Sequence, residues 1–164
     1  MKLIFVVILC FAFSFGAIGQ TASNTASGSV NIILPISITS LGGNLDFGEI
    51  LLTGSSTVYQ LLPAQAQYFQ IMGHPGRSVS LIFNQVDLSN AIWVTLYGGT
   101  VGNFIFTPVV IDSQNEPIVS GNFYPLINNG STGILDVMVG GSISVSANQP
   151  QGDYVGTFTI SVSY

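Results

Sequence analysis

The single histidine, His74, is the residue with the plainest capacity for chemistry. A histidine that acts as a general base needs a nucleophile and an orienting acid nearby. Residues 73–76 read Gly-His-Pro-Gly, which is typical of a turn, and the proline favours an extended backbone in the residue before it. We therefore interpret His74 as a turn residue and predict that the protein is not an enzyme.

Acidic residues form two further candidate sites. Asp46 and Glu49 could act as a pair of catalytic carboxylates. Because they lie on opposite sides of an extended chain, we interpret them instead as solvated charges at the end of a strand. Asp112, Asn115 and Glu116 place oxygen ligands that suit calcium in one loop. Because this loop lacks the spacing and the glycine of an EF-hand, the three residues are weak metal candidates, and we predict no metal and no cofactor.

Aromatic residues could provide a stacking surface for sugars. The candidates are Trp93, Tyr97, Tyr59, Tyr68 and Tyr124. We expect most of them in the core or on strand faces, so no small-molecule substrate is identified. A carbohydrate- or ligand-binding module remains an alternative, and it would require an exposed cluster of aromatic side chains with converging amides.

The amino terminus has the pattern of a secretory signal peptide. Met1 and Lys2 precede an apolar run over residues 3–15 that is too short to span a bilayer, and small residues follow at Ala17 and Gly19. We predict cleavage after Gly19, so that residues 1–19 are the signal peptide. The protein is then exported and is extracellular or attached to the cell surface.

Removal of the signal peptide leaves a chain with very few charges. The only cysteine, Cys10, and the only lysine, Lys2, lie within the signal, which leaves Arg77 as the single basic residue. Nucleic acid is excluded as a partner because its phosphates demand lysine and arginine. A surface of small polar residues suits packing against copies of the same protein, or against other cell-envelope proteins, through sheet edges.

The apolar residues alternate in many short runs, which predicts strands. Residues 20–29 are small and polar and form a flexible lead-in, and residues 30–164 form the folded domain. The predicted strands are 30–38, 45–50, 57–62, 67–72, 78–83, 92–97, 104–111, 134–139, 142–147 and 152–164. Residues 112–130 form a long excursion, and no segment has a helical pattern. Such spacing predicts an all-β fold, a single antiparallel sandwich.

The last predicted strand closes this domain. One apolar face alternates with a polar face, which is typical of a half-buried strand. The residues to which we assign a structural role in this closing strand are Gly152, Tyr154, Phe158, Ile160, Val162 and Tyr164. We expect Phe158 and Ile160 to be buried, with Thr157 and Thr159 facing water.

Several segments together resemble a secreted bacterial family called domain of unknown function 4402. They are residues 35–39, 45–50, 69–76 and the long ending from Val139 to Tyr164. This resemblance spans nearly all of the exported chain and implies an immunoglobulin-like β-sandwich behind a signal peptide. The family label implies no activity.

More distantly, the ending resembles that of chaperone–usher pilins and spore-coat-U-like proteins. In those proteins a glycine and a late aromatic residue bracket the final strand, as Gly152 and Tyr164 do here. The chain departs from these pilins in two features. They usually carry a disulfide, whereas this chain has no cysteine after the signal peptide, and their N-terminal donor strand is apolar, whereas residues 21–29 contain no large apolar residue. Any donor strand in this chain must therefore be residues 30–38.

These observations favour a secreted or cell-surface protein with a structural or adhesive role, such as a pilin-like or surface-fibre subunit. A small outer-membrane β-barrel is a further alternative, suggested by the terminal Tyr164 and the high apolar content. Prolines within the predicted strands argue against it.

Overall fold

The structure is a computed structural model and describes residues 26–164. The predicted signal peptide therefore lies outside the described residues. Residues 26–31 belong to a separate unit and form no helix or strand, whereas residues 32–164 form the folded body. Its elements are β1 Ser37–Gly42, β2 Thr57–Leu61, a 3₁₀ turn Pro63–Gln65, β3 Gln67–Gly73, β4 Ser78–Phe83, β5 Val86–Ser89, α1 Ala91–Tyr97, β6 Asn103–Asp112, β7 Phe123–Pro125, β8 Ile127–Asn129, β9 Thr132–Val145 and β10 Ile160–Ser163.

Two antiparallel sheets make up this body. The larger sheet has seven strands in the order β1-β3-β9-β6-β5, and both β2 and β8 also pair with β9. The smaller sheet has the order β10-β4-β7. The prediction of an all-β, antiparallel sandwich is thereby confirmed. No helix among residues 26–164 has the length and apolar character needed to cross a bilayer.

The fourteen-residue strand β9 is the centre of the larger sheet. Ile143 pairs with Tyr59 of β2 on one side and with Phe106 of β6 on the other, so both sides of the strand are occupied. We predicted two strands here, 134–139 and 142–147, with Gly140 and Gly141 outside both, and the single continuous strand shows that this was wrong. These glycines lie in the strand because a side chain at either position would collide with neighbouring backbone, that of β2 or β6.

Alternate residues of β9 supply the core between the sheets. The main cluster of buried side chains consists of Ile71, Val79, Leu81, Val110, Ile118, Leu126, Leu135, Val137 and Val139. A second cluster consists of Phe106, Ile143 and Val145. The smaller sheet covers the main cluster through Val79 and Leu81 of β4, which are fully buried.

The segment predicted as a strand at 92–97 is the helix α1, so the expectation of no helix was also wrong. A short apolar run is ambiguous between strand and helix, and its tertiary surroundings decide. Here the run lies between Asn90, which is held inside the protein, and Gly98, whose φ of 79° ends the helix. No residue of α1 is buried, and Tyr97 is 72% exposed, so the helix protrudes from the sheets.

The predicted strand at 45–50 is also absent. The Asp46 carboxylate accepts a hydrogen bond from the Gly48 backbone N–H at 2.8 Å, and Gly48 has a φ of 67°, so the chain turns here. The apolar side chains Leu45, Phe47 and Ile50 nevertheless pack against the second cluster. This segment covers the core as a loop.

The first and last predicted strands have different bounds in the structure: β1 shares only Ser37 and Ile38 with the predicted 30–38 and continues to Gly42, and the last strand is shortened to Ile160–Ser163. Strand β1 begins only at Ser37, because the backbone of Leu34 bonds to side chains and not to a neighbouring strand. The closing segment passes from one sheet to the other: Val155 bridges to Ser89 of β5, and regular pairing with β4 begins at Ile160. Strand β5 was not predicted, and the excursion at 112–130 contains the short strands β7 and β8.

Candidate functional site

His74 joins two distant parts of the chain. Its Nδ1 accepts a hydrogen bond from the Leu34 backbone N–H at 3.4 Å, and its backbone N–H donates to the Tyr164 hydroxyl at 2.7 Å. That hydroxyl donates to the Leu34 carbonyl oxygen at 2.7 Å. The histidine is thus a structural anchor, because its contacts hold the segment before β1 against the end of β10.

The candidate calcium loop is a tight turn between Ile111 and Pro117, which form a β-bridge. The Asp112 carboxylate accepts hydrogen bonds from the backbone N–H groups of Gln114, at 2.8 Å, and Glu116, at 2.9 Å. Within the part of the chain that the structure describes, no cluster of three or more His, Cys, Asp or Glu side chains is arranged to hold a metal. The carboxylate at Asp112 therefore stabilises the turn, whose Asn115 has a φ of 65°.

The closing segment provides one exposed sheet edge. In β10, Ile160 and Val162 are half-buried against the main cluster, so the expectation that Ile160 is fully buried was wrong, whereas Ser161 and Ser163 face water. One side of β10 pairs with β4, and among residues 26–164 no strand pairs with the other side. This open edge is the first candidate for an interaction site.

Phe158 connects the two parts of the core. It is half-buried, not fully buried as expected, and it packs against both clusters. Its ring lies 6.3 Å from that of Phe83 and 6.1 Å, edge to face, from that of Phe106. Thr157 and Thr159 on either side are exposed, as predicted.

A cleft at the other end of the closing segment is the second candidate site. It has a volume of about 820 Å³ and lies between two loop segments, residues 44–52 and 149–156. Its lining includes Phe104 of β6, Val145 of β9 and Trp93 of α1. A volume of this size is in the range of small-molecule sites in proteins.

Asn90 is a key residue of this region that sequence reasoning missed. It is fully buried, and its side-chain amide donates to the carbonyl oxygens of Thr100, at 3.2 Å, and Gln151, at 2.9 Å. Its side-chain oxygen accepts from the Gly102 N–H at 2.7 Å. The only signal in the sequence is an asparagine before an apolar run, which predicts a helix cap and not a buried anchor.

Tyr68 and Asp136 form a polar contact on adjacent strands, β3 and β9. Burial raises the pKa of the Tyr68 hydroxyl, and the hydrogen bond and negative charge of Asp136 raise it further. Asp136 also accepts a hydrogen bond from the Gln70 side chain at 3.0 Å. This contact ties two strands of the sheet together.

Comparison with models of known protein families identifies a family for this chain. The model of a family described as a domain of unknown function, DUF4402, matches residues 12–164. No curated protein matches the chain.

Proposed function

The chain belongs to the DUF4402 family, which is described only as a domain of unknown function, and we propose its function from its own structure. The protein is a non-enzymatic, secreted or cell-surface structural subunit that associates with other chains through a sheet edge. Such association gives it a structural or adhesive role in the cell envelope. Its partners are copies of itself or other envelope proteins.

The open edge of β10 is the observation that carries this proposal. Exposed edge strands of monomeric proteins are normally protected by charges, prolines or bulges, because an unprotected edge pairs with other chains. Strand β10 reads Ile-Ser-Val-Ser; it is short, at four residues, but it has no charge, no proline and no bulge.

Three other edge strands of the sheets, β1, β7 and β5, are protected. Strand β1 has a register irregularity between Ser40 and Gly42, and β7 is a three-residue strand that ends at Pro125. Strand β5 contains Asp87 and is bridged on its outer side by Val155. Strand β2 resembles β10 in having neither charge nor proline, so it serves as the comparison edge in the experiment.

Exposed apolar residues that precede β1 also support the proposal that the protein associates with other chains at the β10 edge. Ile32 is 82% exposed, and Ile33 and Leu34 are partly exposed. The Leu34 backbone bonds to the Tyr164 side chain, next to the end of β10. Exposed apolar side chains beside an open edge favour burial in an assembly.

The test measures the assembly state of exported protein by light scattering and electron microscopy. Wild-type protein, whose intact mass should correspond to a start at Gln20, is expected to form oligomers or fibres. The double change Ser161→Lys with Ser163→Lys should yield monomers without altering the melting temperature, because the two side chains face water. The matched controls are Ser144→Lys, in the central strand β9, and Gln60→Lys, in β2.

Monomeric wild-type protein at high concentration would overturn the proposal of self-association. Assembly that survives the lysines in β10 but fails with Gln60→Lys would move the interface to β2. Retention of Lys2 in the recovered protein would contradict export by signal cleavage.

A further inference from the structure

The cleft beside α1 has walls that are fixed by internal contacts. Gly152 lies against the Trp93 ring, and a side-chain carbon at this glycine would lie 2.9 Å from two ring atoms. The Tyr154 ring stacks on Phe104 with centroids 4.4 Å apart. Its hydroxyl donates to the Pro150 carbonyl oxygen at 2.6 Å.

Further hydrogen bonds hold the same wall in place. Gln149 donates through its amide to the Tyr154 hydroxyl at 2.9 Å and to the Asn103 carbonyl oxygen at 3.3 Å. The buried Asn90 amide holds the Gln151 carbonyl oxygen. A preformed cleft binds with a smaller loss of conformational entropy than one that must be ordered by its ligand.

The charges around the cleft restrict the ligand. Three carboxylates, those of Asp46, Glu49 and Asp153, belong to the lining, and they are exposed to solvent. The lining residues include no lysine, arginine or histidine. Phosphate, sulfate and carboxylate ligands would therefore be repelled and would find no cationic partner.

The remaining lining groups match a neutral, hydroxyl-rich ligand. Carboxylates accept hydrogen bonds from adjacent hydroxyl groups, and the Asn44 and Gln151 side-chain amides can both donate and accept. Trp93 and Tyr154 line the cleft and are half-buried, so the exposed part of each ring offers apolar surface to the C–H groups of a sugar. Aromatic surfaces and polar rim groups thus occur together in one cleft.

We propose that this cleft is a binding site for a neutral oligosaccharide. The sugar ring packs against the aromatic wall, while its hydroxyl groups bond to the carboxylates and amides of the rim. The proposal is independent of self-association through β10, since the cleft uses residues 44–52 and 149–156 and not Ile160–Ser163.

Trp93 makes the test direct, because it is the only tryptophan in the chain and lines the cleft. Its fluorescence is followed while neutral gluco-, manno-, galacto- and xylo-oligosaccharides are added to the edge variant that carries lysine at positions 161 and 163. One or more of them should produce a saturable change. The double variant Glu49→Gln with Asp153→Asn should bind at least about tenfold more weakly, since it loses two charged acceptors.

The matched control is Asp87→Asn, which removes an exposed carboxylate that lies outside the cleft lining. It should bind as the parent does, and all variants should keep the parent's melting temperature. Absence of a response to every neutral sugar at millimolar concentration would overturn the proposal. So would equal binding by the rim variant and the control, or a response only to oligolysine or to a peptide of residues 28–38.

Discussion

Replacement of Phe158 by alanine should destabilise the protein strongly, because this ring joins the two clusters of the core. Removal of a buried phenylalanine costs about 3–5 kcal/mol. Phe158 is half-buried, which places its contact loss at the lower end of that range. The lost packing with Phe83 and Phe106 contributes about 0.5–1.5 kcal/mol for each well-oriented aromatic pair. We therefore expect a loss of about 3 kcal/mol in the free energy of unfolding.

The assay is thermal and urea-induced unfolding, followed by circular dichroism and by Trp93 fluorescence. A loss of about 3 kcal/mol should lower the melting temperature by about 10 °C for a domain of this size. The matched control is Thr159→Ala on the exposed face, which should change the stability by less than about 0.5 kcal/mol. Similar small effects from both changes would refute the reasoning, and the closing segment would then be an appendage of a core that is stable without it.

Three further predictions concern polar contacts. Tyr164→Phe should lower the stability by about 1–3 kcal/mol, measured by urea unfolding, because the Leu34 carbonyl and the His74 N–H lose their partner; an unchanged midpoint would contradict this. Chelation of divalent ions should leave the melting temperature unchanged, since the Asp112 carboxylate already accepts two backbone N–H groups; a drop of several degrees would identify a metal site. Ultraviolet titration should show that Tyr68 ionises above its ordinary pKa of 10.0. The change Asp136→Asn should lower this raised pKa part of the way towards the ordinary value, and an equal pKa of Tyr68 in the wild-type protein and the variant would refute the contact. Because the folded-state pKa is raised, the stabilising contribution of Tyr68 is present below pH 10.0 and is lost as the pH rises through the raised pKa.

Strands with local alternation could be predicted from the sequence. The prediction for β4 matched both ends, and β2 and β3 differed by one residue, because their apolar residues face one core. The sequence could not reveal that β9 runs through Gly140 and Gly141, because glycine pairs signal turns unless the neighbouring backbone is known.

The candidate sites were harder to predict. The alternation in residues 152–164 predicts that this segment closes the fold. It does not predict that the segment passes from β5 in the larger sheet to β4 in the smaller one, because the bridge between Val155 and Ser89 has no local pattern. The cleft is formed by residues 44–52 and 149–156, which are far apart in the sequence, and by α1, whose short apolar run predicts a strand. An aromatic residue such as Trp93 is recognisable from its type as a stacking candidate, whereas the buried contact of Asn90 with the Gln151 carbonyl oxygen has no signal in the sequence.

The central place of β9 has a consequence for how quickly the protein reaches its fold. Strands β2, β3 and β6 all pair with β9, yet they precede it in the chain and are separated from it by long stretches. Folding rates fall when native contacts join residues distant in sequence, since long loops must close first. The larger sheet can therefore complete its pairing only after Thr132–Val145 has emerged, and until then the earlier strands are exposed to aggregation. Slow refolding and dependence on a holding chaperone during synthesis are the expected kinetic signature of this topology.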